Sequence, residues 1–260
     1  MILIDSHTHL GMEKFDSDRD RVIERALSVG VRQIITIGID TKSSMKAVAL
    51  TERYPSVFAS AGIHPHNADR ADFHDLKHIA LLARLEKVVA IGEIGLDFYR
   101  NLSSRKKQRE LFQQQLDIAL SVDLPVVIHD REAHEEVLET LSSFKRIGSK
   151  GVIHCFSGDY NLAKTFIGMG YYISIPGTIT VKNARQMQDV AARIPSSKML
   201  LETDAPFLTP LPHRGQRNEP SFVIYAAQKV AELRGIPFEE VAQKTSNNAS
   251  QLFNLPLPVR

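Results

Sequence analysis

Short apolar runs recur along the 260 residues of this chain and alternate with longer, more polar stretches. The runs are rich in β-branched residues and are apolar for most of their length, which is typical of parallel strands covered by helices. They predict eight strands, at Ile2–Leu10, Gln33–Ile39, Val57–Pro65, Val88–Asp97, Pro125–Asp130, Gly151–Phe156, Tyr171–Gly177 and Met199–Pro206.

Several intervening stretches carry apolar stripes at helical spacing. They predict helices at Asp18–Val29, Arg105–Val122 and Ala133–Phe144, and two more near Ser221–Arg234 and Phe238–Leu252. Eight strands alternating with helices predict an α/β fold, a single (β/α)8 TIM barrel that forms one domain over residues 1–260. A doubly wound open sheet is the alternative, although eight parallel strands favour closure. The proline-rich stretch Pro206–Pro220 predicts a long loop after the last strand.

Composition excludes several classes of protein. Lys and Arg together number 32 and Asp and Glu 30, a formal charge of +2 that is too balanced for nucleic-acid binding by a basic coat. The lone cysteine, Cys155, excludes an intrachain disulfide and a Cys-rich zinc site. Because neither a signal-peptide pattern nor an apolar run of roughly 18 residues occurs, we expect a cytoplasmic protein without membrane contact. No motif for an organic cofactor occurs either.

Histidines and acids gather at the carboxyl ends of the predicted strands, which meet at one face of a TIM barrel. They are His7, His9, Glu93, His129, His154 and Asp204. Side chains alternate along a strand, so His7 and His9 point the same way. Imidazoles and carboxylates bind divalent metal ions such as zinc, manganese or magnesium, and these ligands leave the ion undecided. Six ligands exceed the needs of one catalytic ion, so we expect two divalent metal ions bridged by Glu93.

Other residues near this face allow two interpretations each. His64 and Arg131 either bind a substrate phosphate or form structural hydrogen bonds. Glu202 either shares a face with Asp204 and supports it, or is a buried core residue. The basic segment from Arg100 to Arg109 either guides a nucleic-acid backbone or, as we favour, begins a solvated helix.

Two features are expected to lie outside the site. His74 and His78 are spaced like the two histidines of a zinc-protease helix motif, but the segment lacks the motif's glutamate, and we assign it to an outer helix. Cys155 follows His154, and alternation along the strand turns its thiol away from the barrel mouth and towards the helices.

Seven sequence blocks resemble the signature blocks of the TatD family of metal-dependent deoxyribonucleases, within the amidohydrolase superfamily. The blocks are Asp5-Ser6-His7-Thr8-His9, Gly62-Ile63-His64-Pro65, Gly92-Glu93-Ile94-Gly95-Leu96-Asp97, His129-Asp130-Arg131, His154-Cys155-Phe156-Ser157-Gly158, Glu202-Thr203-Asp204-Ala205-Pro206 and Arg217-Asn218-Glu219-Pro220. The resemblance implies two ligand sets that share Glu93. One ion is held by His7, His9, Glu93 and Asp204, and the second by Glu93, His129 and His154.

The resemblance also implies an activity, hydrolysis of DNA phosphodiester bonds by a water that two metal ions activate. It implies a 3′–5′ exonuclease whose partner is DNA, above all single-stranded ends, and whose catalytic residues are Glu93 and Asp204. Asp204 either accepts a proton from the water or acts as a ligand only. A small-molecule amidohydrolase or esterase of the same superfamily is the alternative, and a barrel that binds without catalysis is a third possibility. Glu93 stands where many superfamily relatives carry a modified lysine, which favours the nuclease family.

Overall fold

The computed structural model describes residues 2–145 and 150–256 of the chain. Within these residues a sheet of eight parallel strands follows chain order from the first strand to the last. The strands are β1 (Leu3–Thr8), β2 (Val31–Ile37), β3 (Val57–Ala61), β4 (Val88–Asp97), β5 (Val126–Arg131), β6 (Gly151–Ile153), β7 (Tyr172–Pro176) and β8 (Met199–Glu202).

Helices connect the strands and cover the outer face of the sheet. They are α1 (Arg19–Ser28), α2 (Thr41–Arg53), α3 (Phe73–Leu82), α4 (Arg105–Ser121), α5 (His134–Lys145), α6 (Tyr160–Gly168), α7 (Arg185–Arg193), α8 (Val223–Arg234) and α9 (Phe238–Phe253). In the described part of the chain, none of the helices combines the length and the apolarity that a membrane span requires.

Contacts between β1 and the segment after β8 close the sheet into a barrel. A parallel bridge joins Thr8 to Ala205, and the amide of His9 donates to the carbonyl of Ala205 at 2.7 Å. The amide of Asp204 donates to the carbonyl of His7 at 2.9 Å. Asp5, fully buried, accepts hydrogen bonds from the amide and the hydroxyl of Thr203. The predicted (β/α)8 TIM barrel is therefore confirmed, and the open sheet is wrong.

Two apolar clusters stabilise the barrel. The larger one packs the strands against the surrounding helices. The smaller one takes at least one residue from every strand, for example Ile4, Val127 and Leu200, and therefore fills the barrel interior. Leu252 and Phe253 of α9 belong to it, so α9 closes the barrel at the end opposite the carboxyl ends of the strands.

Several predicted boundaries are wrong. The predicted first, third, sixth and eighth strands extend past the last sheet residue, because the residues that follow are bonded to neighbouring loops instead of to the sheet. The amide of His64, for instance, donates to the carbonyl of Ile39 at 2.9 Å. Helices α2, α6 and α7 were not predicted. The buried face of α2 consists of Ser44, Ala47 and Thr51, which produce no apolar stripe. The prediction of one domain over residues 1–260 stays a prediction.

Candidate metal centre

The contact between β1 and the β8 loop brings together His7, His9 and Asp204. The Nε2 atoms of the two imidazoles lie 3.4 Å apart. Asp204 Oδ1 lies 3.5 Å from His7 Nε2 and 3.3 Å from His9 Nε2. Asp204 has a positive φ of 56°. The hydrogen bond from its backbone amide to the carbonyl of His7 holds it in this conformation. One sheet contact thus sets the positions of all three side chains.

Glu93 lies between two groups of donors and turns one carboxylate oxygen towards each. Its Oε2 lies 3.5 Å from His7 Nε2 and 3.9 Å from His9 Nε2. Its Oε1 lies 2.8 Å from His129 Nδ1 and 2.9 Å from His154 Nε2. The side chain is almost completely buried. This is the arrangement that a carboxylate bridging two metal ions requires.

Two further carboxylates lie beside the imidazoles of the second group. Asp97 Oδ2 lies 3.1 Å from His129 Nε2, so the other ring nitrogen of His129 faces Glu93. Glu202 Oε1 lies 3.5 Å from His154 Nδ1 and accepts a hydrogen bond from the amide of Cys155 at 2.6 Å. A carboxylate behind a ligating histidine fixes its tautomer and ring orientation.

Opposite charges and burial set the protonation of the cluster. Burial alone would raise the pKa of Glu93, but the imidazoles of His154, His64 and His129 hold its pKa well below the usual value. Burial would lower the pKa of His154, but the carboxylates of Glu93 and Glu202 raise its pKa well above the ordinary value. Glu93 is therefore an anion at neutral pH, as a bridging ligand must be.

The pKa values of the other imidazoles differ between positions. Burial and the charge of His154 lower the pKa of His7. For His9, burial is outweighed by Asp204 and Glu93, which raise its pKa. For His129, burial is outweighed by Asp97 and Glu93, which likewise raise its pKa. Because a ligating imidazole must be neutral, cations and protons compete for His9 and His129.

Around His7 and His9, the spacing of the ligand atoms fits a metal ion better than a hydrogen-bond network. A tetrahedral ion with ligand bonds of about 2.1 Å separates neighbouring ligand atoms by about 3.4 Å. The distances that join the Nε2 atoms of His7 and His9 to each other, to Asp204 Oδ1 and to Glu93 Oε2 range from 3.3 to 3.9 Å. These exceed the 2.7–3.2 Å that is usual for hydrogen bonds from nitrogen. Buried groups with ligand atoms this close are therefore able to hold a cation.

The two residues predicted to bind a phosphate differ in exposure: His64 is buried and Arg131 is exposed. His64 is buried within the cluster, with Nε2 3.4 Å from Glu93 Oε1. Its Nδ1 accepts a hydrogen bond from the amide of His66, so Nε2 carries the hydrogen. Burial lowers the pKa of His64 to about 4, and the ring is neutral. Arg131 is exposed at the end of β5, and its guanidinium lies 4.4 Å from the ring centroid of Tyr99.

Two features of the sequence were expected to lie outside the site. The spacing motif of His74 and His78 lies on α3, away from the cluster, as expected. Alternation along β6 does not reach Cys155, because β6 ends at Ile153 and Cys155 has a positive φ of 44°. Burial, together with the charges of Glu202, Asp204 and Glu93, raises the pKa of the Cys155 thiol. The alternation argument therefore does not apply to Cys155, and the direction of its thiol stays a prediction.

Sequence reasoning did not assign a role to Asp97, and for Glu202 it left a supporting role and a core position open. Asp97 lies four residues after Glu93 on the regular part of β4, so the two-residue period was a usable signal for it. Glu202 is the last residue of β8, and the turn at Asp204 breaks the period between them. Glu202 is fully buried and lies beside His154, with its Oε1 3.5 Å from His154 Nδ1.

A barrel with imidazoles and carboxylates gathered at the carboxyl ends of its strands has the architecture of a metal-dependent hydrolase. The chain belongs to the TatD related DNase family, whose family model matches residues 4–254. The resemblance found in the sequence blocks is thereby confirmed, and the protein is a metal-dependent hydrolase of this family.

The similar proteins include some that are named only as metal-dependent hydrolases and some that are named as exonucleases. The chain is 41% identical over 254 residues to the uncharacterized metal-dependent hydrolase YabD of Bacillus subtilis, covering 98% of this chain and 100% of that protein. It is 36% identical to the 3′-5′ ssDNA/RNA exonuclease TatD of Erwinia tasmaniensis, covering 97% of this chain and 100% of that protein. The crystal structure of the TatD homolog YjjV from Escherichia coli superposes with a TM-score of 0.92, at 35% identity and covering 98% of each chain.

Proposed function

We propose that this protein hydrolyses phosphodiester bonds of single-stranded DNA from the 3′ end, with two divalent metal ions at the described cluster. The observation that carries the proposal is the position of Glu93, whose two oxygens face separate groups of donors. A similar protein that covers almost the whole chain is named a 3′-5′ ssDNA/RNA exonuclease, which supports the substrate class.

The proposed ligands form two sets that share Glu93. His7, His9 and Asp204 hold one ion, and His129 and His154 hold the other. When bound, the ions activate a water, neutralise the phosphate and stabilise the leaving oxygen. The carboxylate of Glu93 belongs to both sets and therefore fixes their positions relative to each other.

The protein's own groups position the substrate and accept the proton. Asp204 Oδ1 faces His7 and His9, and Asp204 is partly open to the barrel mouth, with 13% of its side chain exposed. In the proposed mechanism its Oδ2 accepts the proton that the attacking water loses. The Nε2–H of His64 donates to a phosphate oxygen, and the guanidinium of Arg131 contacts the phosphate from the rim.

A nuclease assay tests the proposal. Single-stranded oligonucleotides labelled at the 3′ or the 5′ end are incubated with the purified protein in magnesium, manganese or zinc, with RNA and a blunt hairpin as comparisons. We expect early release of the 3′ label as a mononucleotide, while the 5′-labelled strand shortens stepwise. The Glu93→Gln variant serves as the inactive control. Intact DNA in all three metals, together with hydrolysis of amide or ester substrates, would contradict the proposal and favour a small-molecule hydrolase.

A further inference from the structure

Two exposed aromatic side chains lie on opposite sides of the barrel mouth. Tyr99 follows β4 and is 60% exposed, and Phe207 follows β8 and is 41% exposed. Strands β4 and β8 are four positions apart in the eight-stranded barrel and therefore face each other across it. A single exposed ring needs no explanation, but two rings that face each other across a candidate active site suggest a binding surface.

Each ring is accompanied by a cation. The guanidinium of Arg131 lies 4.4 Å from the centroid of Tyr99, and Nζ of Lys14 lies 5.3 Å from that of Phe207. Within residues 2–145 and 150–256, neither Arg131 nor Lys14 forms an ion pair with a carboxylate. Both positive charges are therefore free to contact a phosphate. We call Tyr99 with Arg131, and Phe207 with Lys14, the two aromatic–cation pairs.

The two aromatic–cation pairs adjoin different halves of the metal centre. The ring of Phe207 lies 6.0 Å, centroid to centroid, from that of His9 and meets it edge to face. The amide of Tyr99 donates to Asp97, the carboxylate that also contacts His129. The backbone amide of Phe207 donates to the carbonyl of Asp204 at 2.9 Å. Both rings are thus held at fixed distances from the cluster by short connections.

A groove continues from the Phe207 side of the mouth. It has a volume of about 370 Å³ and runs from His9 past Lys14 to Lys42 and Lys46 at the start of α2. Glu13 and Asp40 also line it, but the Asp40 carboxylate caps α2 by accepting from the amide of Ser43. None of these lysines pairs with a carboxylate in the described part of the chain. The groove is therefore suited to a chain of phosphates.

We propose that Tyr99 and Phe207 stack on unpaired bases on the two sides of the scissile phosphodiester, while Arg131 and Lys14 contact the adjoining phosphates. This inference rests on the proposed function and names how the site selects its substrate. A ring stacks on any base that is not already stacked and paired, so the arrangement favours single strands over duplexes without reading sequence. Cations beside the rings strengthen the contact with the phosphate backbone.

Kinetics with two matched substrates test the role of the rings. One substrate is a single-stranded oligothymidylate, and the other is an oligomer of the same length whose sugars lack bases. We expect Tyr99→Ala and Phe207→Ala each to raise KM for the DNA about tenfold, within the roughly five- to 150-fold cost of losing one stacked base. KM for the baseless oligomer should rise far less, so the preference for DNA should shrink about tenfold.

Conservative and remote variants serve as controls. Tyr99→Phe and Phe207→Tyr retain the rings and should restore the wild-type preference for DNA. Phe73 is 75% exposed at the start of α3, and Phe73→Ala should change neither KM. Thermal unfolding of each variant checks that the fold is intact, which we expect because the substituted rings are exposed.

The outcomes separate this inference from the proposed function. If the wild-type protein cleaves DNA but the alanine variants shift KM equally for both substrates, or not at all, the stacking proposal is overturned and the nuclease function stands. If the wild type cleaves no DNA, the proposed function fails. Fluorescence anisotropy with the labelled oligothymidylate then decides the stacking. A tenfold loss of affinity in the alanine variants supports it, and equal affinity overturns it.

Discussion

The two carboxylate oxygens of Glu93 face different groups of imidazoles. Its Oε2 faces the imidazoles of His7 and His9 at the end of β1, and its Oε1 faces those of His129 on β5 and His154 just after β6. The surrounding imidazoles hold the pKa of Glu93 below its usual value against the opposing effect of burial, so the charge is kept at neutral pH. No other described side chain contacts both groups through different carboxylate oxygens, so its loss affects both ligand sets at once.

Substitution of Glu93 by glutamine tests this shared role. Glu93→Gln keeps the size of the side chain but removes the anion, and we expect bound metal to fall from two ions towards none and activity to fall by at least about a hundredfold. Elemental analysis after dialysis measures the stoichiometry. The comparison variant His154→Ala removes a ligand from one set only, and one ion should remain. Full occupancy in Glu93→Gln would contradict the bridging position.

Substitution of Asp97 tests the orientation of His129. Asp97→Asn removes the carboxylate that lies 3.1 Å from His129 Nε2 without removing a proposed ligand. We expect metal affinity at one site to fall by about 10–100-fold, as is usual when the partner of a ligating histidine is lost. Isothermal titration calorimetry measures the affinity of each site. A purely structural role would lower thermal stability and leave both affinities unchanged, and that result would contradict the assignment.

Strand periodicity predicted that His7 and His9 share a side of the chain, but it did not predict the backbone irregularity that turns them inward. It correctly put His7 and His9 on the same side of β1. Ile4 lies inside the barrel, and strict alternation from it would turn His7 outward, but a shift of register between Asp5 and Thr8 turns His7 inward. Such a shift depends on hydrogen bonds to distant segments, and a local sequence pattern does not contain them.

The long connection between β8 and α8 carries Asp204, and contacts with distant segments fix its position. Arg217 donates to both carboxylate oxygens of Asp18, at 2.8 and 2.7 Å, and Arg25 contacts Glu219 at 2.6 Å. Asn218 donates to the carbonyl of Thr203 at 2.8 Å. The sequence predicted this stretch as a loop, and the family resemblance covered its end. Asp18 and Arg25, however, lie almost 200 residues away in the chain from the loop residues that they contact. Composition alone therefore could not show that the loop is fixed.

Replacement of Arg217 tests how firmly the loop is held. Arg217→Met retains the stem over Phe15 but loses the paired hydrogen bonds, and we expect the free energy of unfolding to fall by about 1–2 kcal/mol in urea titrations at pH 7. The control Arg193→Met breaks a half-exposed pair with Asp189 and should cost less than about 0.5 kcal/mol.

Acidification should remove the effect of Arg217→Met. Arg217 is the main cause that lowers the pKa of Asp18 below its ordinary value of 3.8. A carboxyl whose pKa is lower in the folded state stabilises the fold above the ordinary pKa, and the contribution is lost as the pH falls through the folded value. The difference between the wild type and the variant should therefore shrink below about pH 4. A difference that stays constant down to pH 2 would show that the ion pair is not its source.

At the scale of the whole molecule, charge is distributed so that attraction to the proposed DNA substrate would be local. The formal net charge is only +2, while lysines collect along the groove beside the mouth. Composition argued against a basic coat, but it could not indicate the groove, which arises from segments after β1 and β2 that only the folded chain brings together. DNA affinity should therefore respond to salt as it does for a few phosphate contacts.

Salt titration tests this local attraction. With two to four neutralised phosphates, the logarithm of the DNA association constant should fall with the logarithm of salt concentration at a slope of about −1.5 to −3. Lys42→Ala should make the slope shallower by about 0.7, since one contact is lost. Lys244 lies on α9 at the opposite end of the barrel, and Lys244→Ala should leave the slope unchanged. A slope near −10, or equal slopes in both variants, would contradict a local groove.

The contact between the first strand and the segment after the last one has a consequence for biosynthesis. A growing polypeptide exposes His7 early, whereas Asp204 is made almost 200 residues later. Until then His7 and His9 lack the carboxylate that meets them across the seam between the first and the last strand. On the proposed ligand assignment, the nascent chain gains its hydrolytic activity only when the barrel closes.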